Sequence, residues 1–117
     1  MSVILHVEDE GSIRLLYKEV FEELGHKVVQ AASAEEALGM LRDKAPDLII
    51  LDLKMPGMGG KRFLEKFHKL KHKIPVVVST AYPYFEGDAA ALNADAYIVK
   101  SGDMAELVNT VESLLKK

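Results

Sequence analysis

Pro46-Asp47-Leu48-Ile49-Ile50-Leu51-Asp52-Leu53-Lys54-Met55-Pro56-Gly57 is the stretch from which the rest of the chain can be read. Its apolar centre, Leu48 to Leu51, reads as a short strand buried on both faces, as strands of parallel sheets are. Such a strand has no packing need for a carboxylate, yet Asp52 closes it, and Pro56-Gly57 stops the strand soon afterwards. The acid is thereby delivered to the rim where loops begin. In open α/β sheets that carboxyl rim is where ligands bind. An aspartate there can also simply cap a turn, so the choice depends on what the other strands bring to the same rim.

Working outward, short apolar runs alternate with helical patterns five times along the chain. This alternation predicts one α/β domain, a (βα)5 unit in which a five-stranded parallel sheet is covered by helices on both faces with right-handed crossovers. Strands are expected at 3–7, 27–31, 46–51, 74–80 and 96–99. Ile13, Leu16, Tyr17, Val20, Phe21 and Leu24 form one apolar helical stripe, which Gly25 ends as a left-handed cap. Ser33 with Glu36 makes a capping box ahead of Ala37, Leu38 and Leu41, and Asp103 with Glu106 makes another ahead of Leu107, Val108, Val111 and Leu114. Phe63, Leu64, Phe67 and Leu70 mark the third helix. The fourth is expected to be short, because Tyr82-Pro83-Tyr84-Phe85-Glu86-Gly87 is turn-rich and only 88–92 offers helical residues.

Composition narrows the function. The 117 residues suit a single domain, 1–117, that buries roughly two-thirds of its unfolded surface. With 49% apolar and 28% charged residues the chain should fold on its own. The absence of cysteine excludes a disulfide framework, a thiolate metal site and a thiol nucleophile, and fits a reducing compartment, so the cytoplasm is expected. The amino end has no basic region followed by a long apolar core, and no stretch approaches about 20 apolar residues, so neither secretion nor membrane insertion is expected. A net charge of −3 argues against direct nucleic-acid binding. Lys61, Arg62, Lys66, Lys69, Lys71 and Lys73 crowd one segment and read as a solvated helix face.

The remaining strand ends carry chemistry. The first runs into Glu8-Asp9-Glu10, which meets Asp52 at one edge if the two strands are neighbours. Two carboxylates about 4 Å apart repel by roughly 4 kcal/mol at an effective dielectric of 20, and a hard divalent ion resolves the conflict. Oxygen ligands without sulfur or imidazole suit Mg²⁺, which usually binds together with a phosphate. Glu8 and Asp9 alone could instead favour the positive end of a helix. The fourth strand ends in Ser79-Thr80-Ala81 and the fifth in Val99-Lys100. An acid pair, a nucleophilic carboxylate, a hydroxyl and an ammonium at one rim are what phosphoryl transfer requires.

From end to end the chain resembles a bacterial response-regulator receiver domain of two-component systems. The resemblance rests on Glu8-Asp9 after the first strand, Asp52 before Met55-Pro56-Gly57, Thr80-Ala81 after the fourth and Lys100 after the fifth. It implies a doubly wound sheet with flavodoxin-like order 2-1-3-4-5. It also implies that Asp52 accepts a phosphoryl group from the phosphohistidine of a sensor histidine kinase or a histidine phosphotransfer protein. Mg²⁺ would be held by Asp9, Asp52 and the backbone carbonyl of Lys54, with Glu8 ordering metal-bound water. Lys100 would pair with the phosphoryl oxygens. Thr80 would bond the phosphoryl group and move the following loop, while Tyr97 turns inward, changing the face formed by the fourth helix, fifth strand and fifth helix.

A receiver of this kind assists its own phosphorylation and dephosphorylation and is not a turnover enzyme. Its expected partners are the kinase, a downstream protein target or fused output domain, and a second copy in a phosphorylation-dependent homodimer. Neither membrane nor nucleic acid is an expected partner. Three departures stand out: Ser101 where a proline usually follows the lysine, the shortened fourth helix, and Asn93 in place of a glycine. A non-proline cis peptide costs about 2.5–4 kcal/mol, so the Lys100-Ser101 bond is either trans with a shifted loop or strained.

Other readings account for less. A phosphatase with an aspartyl nucleophile would want a second acid two residues after Asp52, where Lys54 stands. A flavin phosphate would be repelled by Glu8-Asp9-Glu10. The serious rival is a receiver-like protein-binding module that works without phosphorylation.

Overall fold

Five runs rich in β-branched residues and leucine form the strands of one parallel sheet: β1 (Val3–Val7), β2 (Lys27–Ala31), β3 (Leu48–Leu51), β4 (Val76–Thr80) and β5 (Ala96–Val99). Their order is β2-β1-β3-β4-β5. The computed structural model describes residues 2–43, 45–52, 59–70, 73–80, 94–99 and 104–116, without the side chains at 60, 61 and 80. Among these residues the helices are α1 (Gly11–Glu23), α2 (Ala34–Asp43), α3 (Gly59–Lys69) and α4 (Ala105–Leu115). The short helix expected at 88–92 lies outside the described residues.

Alternation along each strand divides the core in two. Leu5, Val7, Ile49, Leu51, Val76 and Val78 face α2 and α3, where they meet Ala37, Leu41, Phe63, Leu64 and Phe67. Ile4, Leu48, Ile50, Val77 and Ile98 face α1 and α4, meeting Tyr17, Phe21, Leu107 and Val111. All four residues of β3 are wholly buried, which is the central position their unbroken hydrophobicity demands. From β1 the chain goes outward to β2 and then returns past β1 to β3. The point at which strand order reverses therefore falls between β1 and β3, and the carboxyl rim beside it is where open α/β sheets bind ligands.

Local signals behave as their chemistry requires. Gly25 has φ +95°, and bonds from its N–H to the Glu22 carbonyl and from the His26 N–H to the Phe21 carbonyl close α1 as a Schellman cap. Ser33 Oγ accepts the Glu36 N–H at 3.1 Å, while the Glu36 carboxylate accepts the N–H of Ala32 at 2.7 Å, one residue earlier than in the usual capping box. At α4 the N-cap is Met104 and makes no side-chain cap; Asp103 lies outside the described residues.

Some expected boundaries shift. β4 starts at Val76, since Pro75 has no N–H to give the ladder and the Val76 N–H goes to the Asp95 carboxylate at 2.8 Å. β3 starts at Leu48, because Asp47 turns its carboxylate onto the Val3 N–H at 2.7 Å. The stripe of α1 is also narrower than its sequence suggests: Tyr17 and Phe21 are buried, whereas Leu16 and Leu24 are exposed. Leu70 is exposed as well, falling just beyond the end of α3.

Candidate functional site

Strand register builds the site. Val7 pairs with Leu51, so Glu8 and Asp52 leave adjacent strands side by side. Backbone bonds hold both at that level: the Glu8 N–H donates to the Ala31 carbonyl at 3.0 Å and the Asp52 N–H to the Val7 carbonyl at 3.1 Å. Glu8 and Asp52 are buried and Asp9 is exposed; each offers a carboxylate oxygen within 4.8 Å of the others. The spatial convergence expected of Glu8, Asp9 and Asp52 is thus what the fold delivers.

The N-cap residue of α1, Glu10, makes no side-chain cap hydrogen bond. Instead the Glu8 carboxylate accepts the Glu10 N–H at 3.4 Å, and the Arg14 guanidinium donates to the Glu8 backbone carbonyl at 2.8 Å. At this spacing each carboxylate pair repels by about 3–4 kcal/mol at an effective dielectric of 20, and a divalent cation among them turns repulsion into attraction. The donors are oxygens only. That chemistry fits Mg²⁺ or Ca²⁺ and does not suit a thiophilic metal.

The β4 end lies on the other flank of Asp52. Leu51 pairs with Val78, which places Ser79 one step further, beside Asp52. Ser79 is buried, and its Oγ shares a hydrogen bond of 3.0 Å with the Tyr17 hydroxyl. Thr80 pairs with Val99 through the backbone, but its side chain is not described. Tyr97 pairs with Val78 and is half-buried against the cluster containing Leu51 and Val78. Lys54, Lys100 and Ser101 fall outside the described residues.

A group of polar residues that the sequence did not single out lies under the acids. His6, in the middle of β1, is buried and stacks on Tyr17 with ring centroids 4.4 Å apart and an interplanar angle of 13°. The Gln30 amide is 3.3 Å from His6 Nδ1 and donates to the Arg14 carbonyl at 2.6 Å. The available signal was a histidine inside an apolar strand and a tyrosine on a buried helical stripe, since a buried imidazole and a buried phenol each need a partner.

Residues 4–112 match the family described as the response regulator receiver domain. Sporulation initiation phosphotransferase F of Bacillus subtilis is 34% identical over 114 residues, which are 96% of this chain and 92% of that protein. The phosphate regulon transcriptional regulatory protein PhoB of Escherichia coli is 36% identical over 118 residues, 97% of this chain but 48% of that protein. The chain therefore spans about half the length of such transcriptional regulators. Among solved structures, the response regulator TrrA of Thermotoga maritima in complex with Mg²⁺-BeF superposes with a TM-score of 0.91 at 38% identity, covering 97% of this chain and 99% of that one. The same TrrA has also been crystallised with the histidine kinase ThkA. No helix among the described residues is long and apolar enough to cross a membrane.

Proposed function

The chain belongs to the response regulator receiver domain family, and from that premise we propose that Asp52 is its phosphoacceptor, served by a divalent-cation site on Glu8, Asp9 and Asp52. One observation carries the proposal: register brings three carboxylates within 4.8 Å at the rim where strand order reverses. The chain acts as a signalling switch. It accepts and later loses a phosphoryl group and does not turn over a substrate.

In the forward step a carboxylate oxygen of Asp52 attacks the phosphorus of a phosphohistidine in line. The new O–P bond forms as the P–N bond breaks, and the departing imidazole keeps the electron pair and takes up a proton. Asp52 enters this step as the anion, at a fixed depth set by its N–H bond to Val7. Glu8, wholly buried with its carbonyl held by Arg14, orients the metal side of the pocket. Asp9 presents its carboxylate from the solvent side. Glu8, Asp9, Asp52 and the Lys54 carbonyl would hold Mg²⁺, which would supply positive charge to neutralise the phosphoryl oxygens during transfer. Thr80 and Lys100 supply a hydroxyl and an ammonium to those oxygens. Tyr97, at its half-buried position beside Val78, changes packing as Thr80 moves.

The donor is a histidine kinase or a histidine phosphotransfer protein. The product state is read by a protein target or an attached output domain. Incubation with acetyl phosphate and Mg²⁺, followed by intact mass measurement, tests this. Wild type should gain the mass of one phosphoryl group, with none gained in EDTA or in Asp52→Asn. An unmodified wild type would favour a binding module that works without phosphorylation.

A further inference from the structure

A single side chain reaches from one flank of Asp52 to the other. Tyr17 stacks on His6 of β1 and bonds Ser79 of β4, and β3, which carries Asp52, runs between those strands. With strands about 4.8 Å apart, β1 and β4 are separated by roughly 10 Å, so the phenol ring must cross the face of β3 just beneath the acids. Ile4, Ile50 and Val77 share that face, and alternation brings Glu8, Asp52 and Ser79 onto it one row further along.

Both ends of the crossing are fixed. Phe21 meets the Tyr17 ring edge-on at 6.5 Å and 68°, and His6 covers its flat face. His6 is in turn held by Gln30, which also bonds the Arg14 carbonyl, while the Arg14 guanidinium holds the carbonyl of Glu8. A continuous chain of contacts thus begins at the backbone of Glu8 and ends at Ser79, the two residues that register places on either side of Asp52. Tyr17 and Ser79 are 62 positions apart, and their hydrogen bond is buried, where its loss leaves a polar atom without water.

We propose that Tyr17 is a positioning residue: by tying Ser79 to the β1 side, its hydroxyl sets the width of the slot in which Asp52 and the divalent cation sit. The inference rests on the cation and phosphoacceptor reading of the acid cluster. The tie acts through Ser79 and the strand ends and does not touch the phosphoryl group. Its loss lets the β4 end, paired with β3, drift relative to Glu8 and carry Asp52 with it, which lowers cation affinity because the three carboxylates are no longer held at the productive spacing.

The test uses the full chain with Tyr17→Phe, Ser79→Ala and the double variant. Tyr17→Phe keeps the ring, its stacking on His6 and its packing on Phe21, so it preserves the fold. Three quantities are measured: Mg²⁺ affinity without any phosphodonor, the thermal midpoint in EDTA, and the rate of phosphorylation at limiting and at saturating Mg²⁺.

The expected result is an Mg²⁺ affinity lowered about fivefold in each single variant, the scale of one buried hydrogen bond. The double variant should be no weaker than the singles, because both remove the same tie. Phosphorylation should be slowed at limiting Mg²⁺ and largely recovered at saturation. Ser79→Thr, which keeps a hydroxyl, should restore much of the affinity.

An unchanged Mg²⁺ affinity in both singles, with a lowered midpoint, would overturn the proposal and leave Tyr17 a purely structural residue. Additive losses in the double variant would overturn it as well. Wild type that binds no Mg²⁺ would instead overturn the reading of the acid cluster on which the inference rests.

Discussion

The two faces of the sheet have been given different work. Toward α2 and α3 the buried cluster among the described residues consists of apolar side chains, with Phe63 and Phe67 stacked 6.1 Å apart in the same cluster as Leu5, Ile49 and Val78. Toward α1 and α4, His6 and Ser79 are buried with Tyr17 and lead up to the buried acids Glu8 and Asp52 at the rim. Hydrocarbon packing is non-directional and supplies stability in proportion to buried area. Hydrogen bonds contribute less per contact but fix direction. A site that must hold three carboxylates close together needs direction on one side and surplus stability on the other, and the fold provides each on its own face.

This contrast makes separable predictions. Phe67→Ala, on the hydrocarbon face, should cost about 3–5 kcal/mol of unfolding free energy in a urea titration, with the Mg²⁺ affinity of the folded protein unchanged. A large fall in affinity at preserved fold would break the division between faces. Next in size is the effect of the cation itself. Mg²⁺ at a hundred times its dissociation constant should raise wild-type stability by about 2.7 kcal/mol, and Glu8→Gln should remove most of that gain. An undiminished gain in Glu8→Gln, read from thermal midpoints with and without EDTA, would place the cation elsewhere.

Smaller still is the cap of α2, on the hydrocarbon side. Ser33→Ala removes the bond to the Glu36 N–H and should cost about 1 kcal/mol, visible in the denaturation midpoint but not in Mg²⁺ binding. Tyr17→Phe should do the reverse, moving Mg²⁺ affinity more than stability.

Much of this arrangement could be read from residues alone, and what escaped has a physical reason. β1, β2 and β5 stand where their apolar runs begin and end, because turn residues and charge bound them sharply. The meeting of Glu8, Asp9 and Asp52 was legible because each lies just past a buried strand, and neighbouring parallel strands in register deliver their next residues to one edge. Leu16 and Leu24 misled because periodicity reports which side of a helix is apolar, not how wide a strip the sheet covers. The β4 start was set by a missing proline N–H and a carboxylate 19 residues away at Asp95, which no hydrophobic pattern encodes.

The tie between Tyr17 and Ser79 left the weakest trace. A hydrogen bond between side chains 62 residues apart imposes no spacing on either segment. Only the cost of burying an unpartnered hydroxyl hints that one must exist. The positions of Lys54, Lys100 and the Thr80 side chain fall outside the described residues, so for them the proposal stands on the receiver family and on chemistry.

Locating the phosphoryl group within the chain tests the role of Asp52 most directly. After treatment with acetyl phosphate and Mg²⁺, borohydride reduction converts an aspartyl phosphate to homoserine, which peptide mass spectrometry can place by position. Homoserine should be found at position 52 alone, and only when Mg²⁺ was present. A reduced product at another aspartate or a glutamate, or at position 52 to the same extent in EDTA, would contradict the site described here.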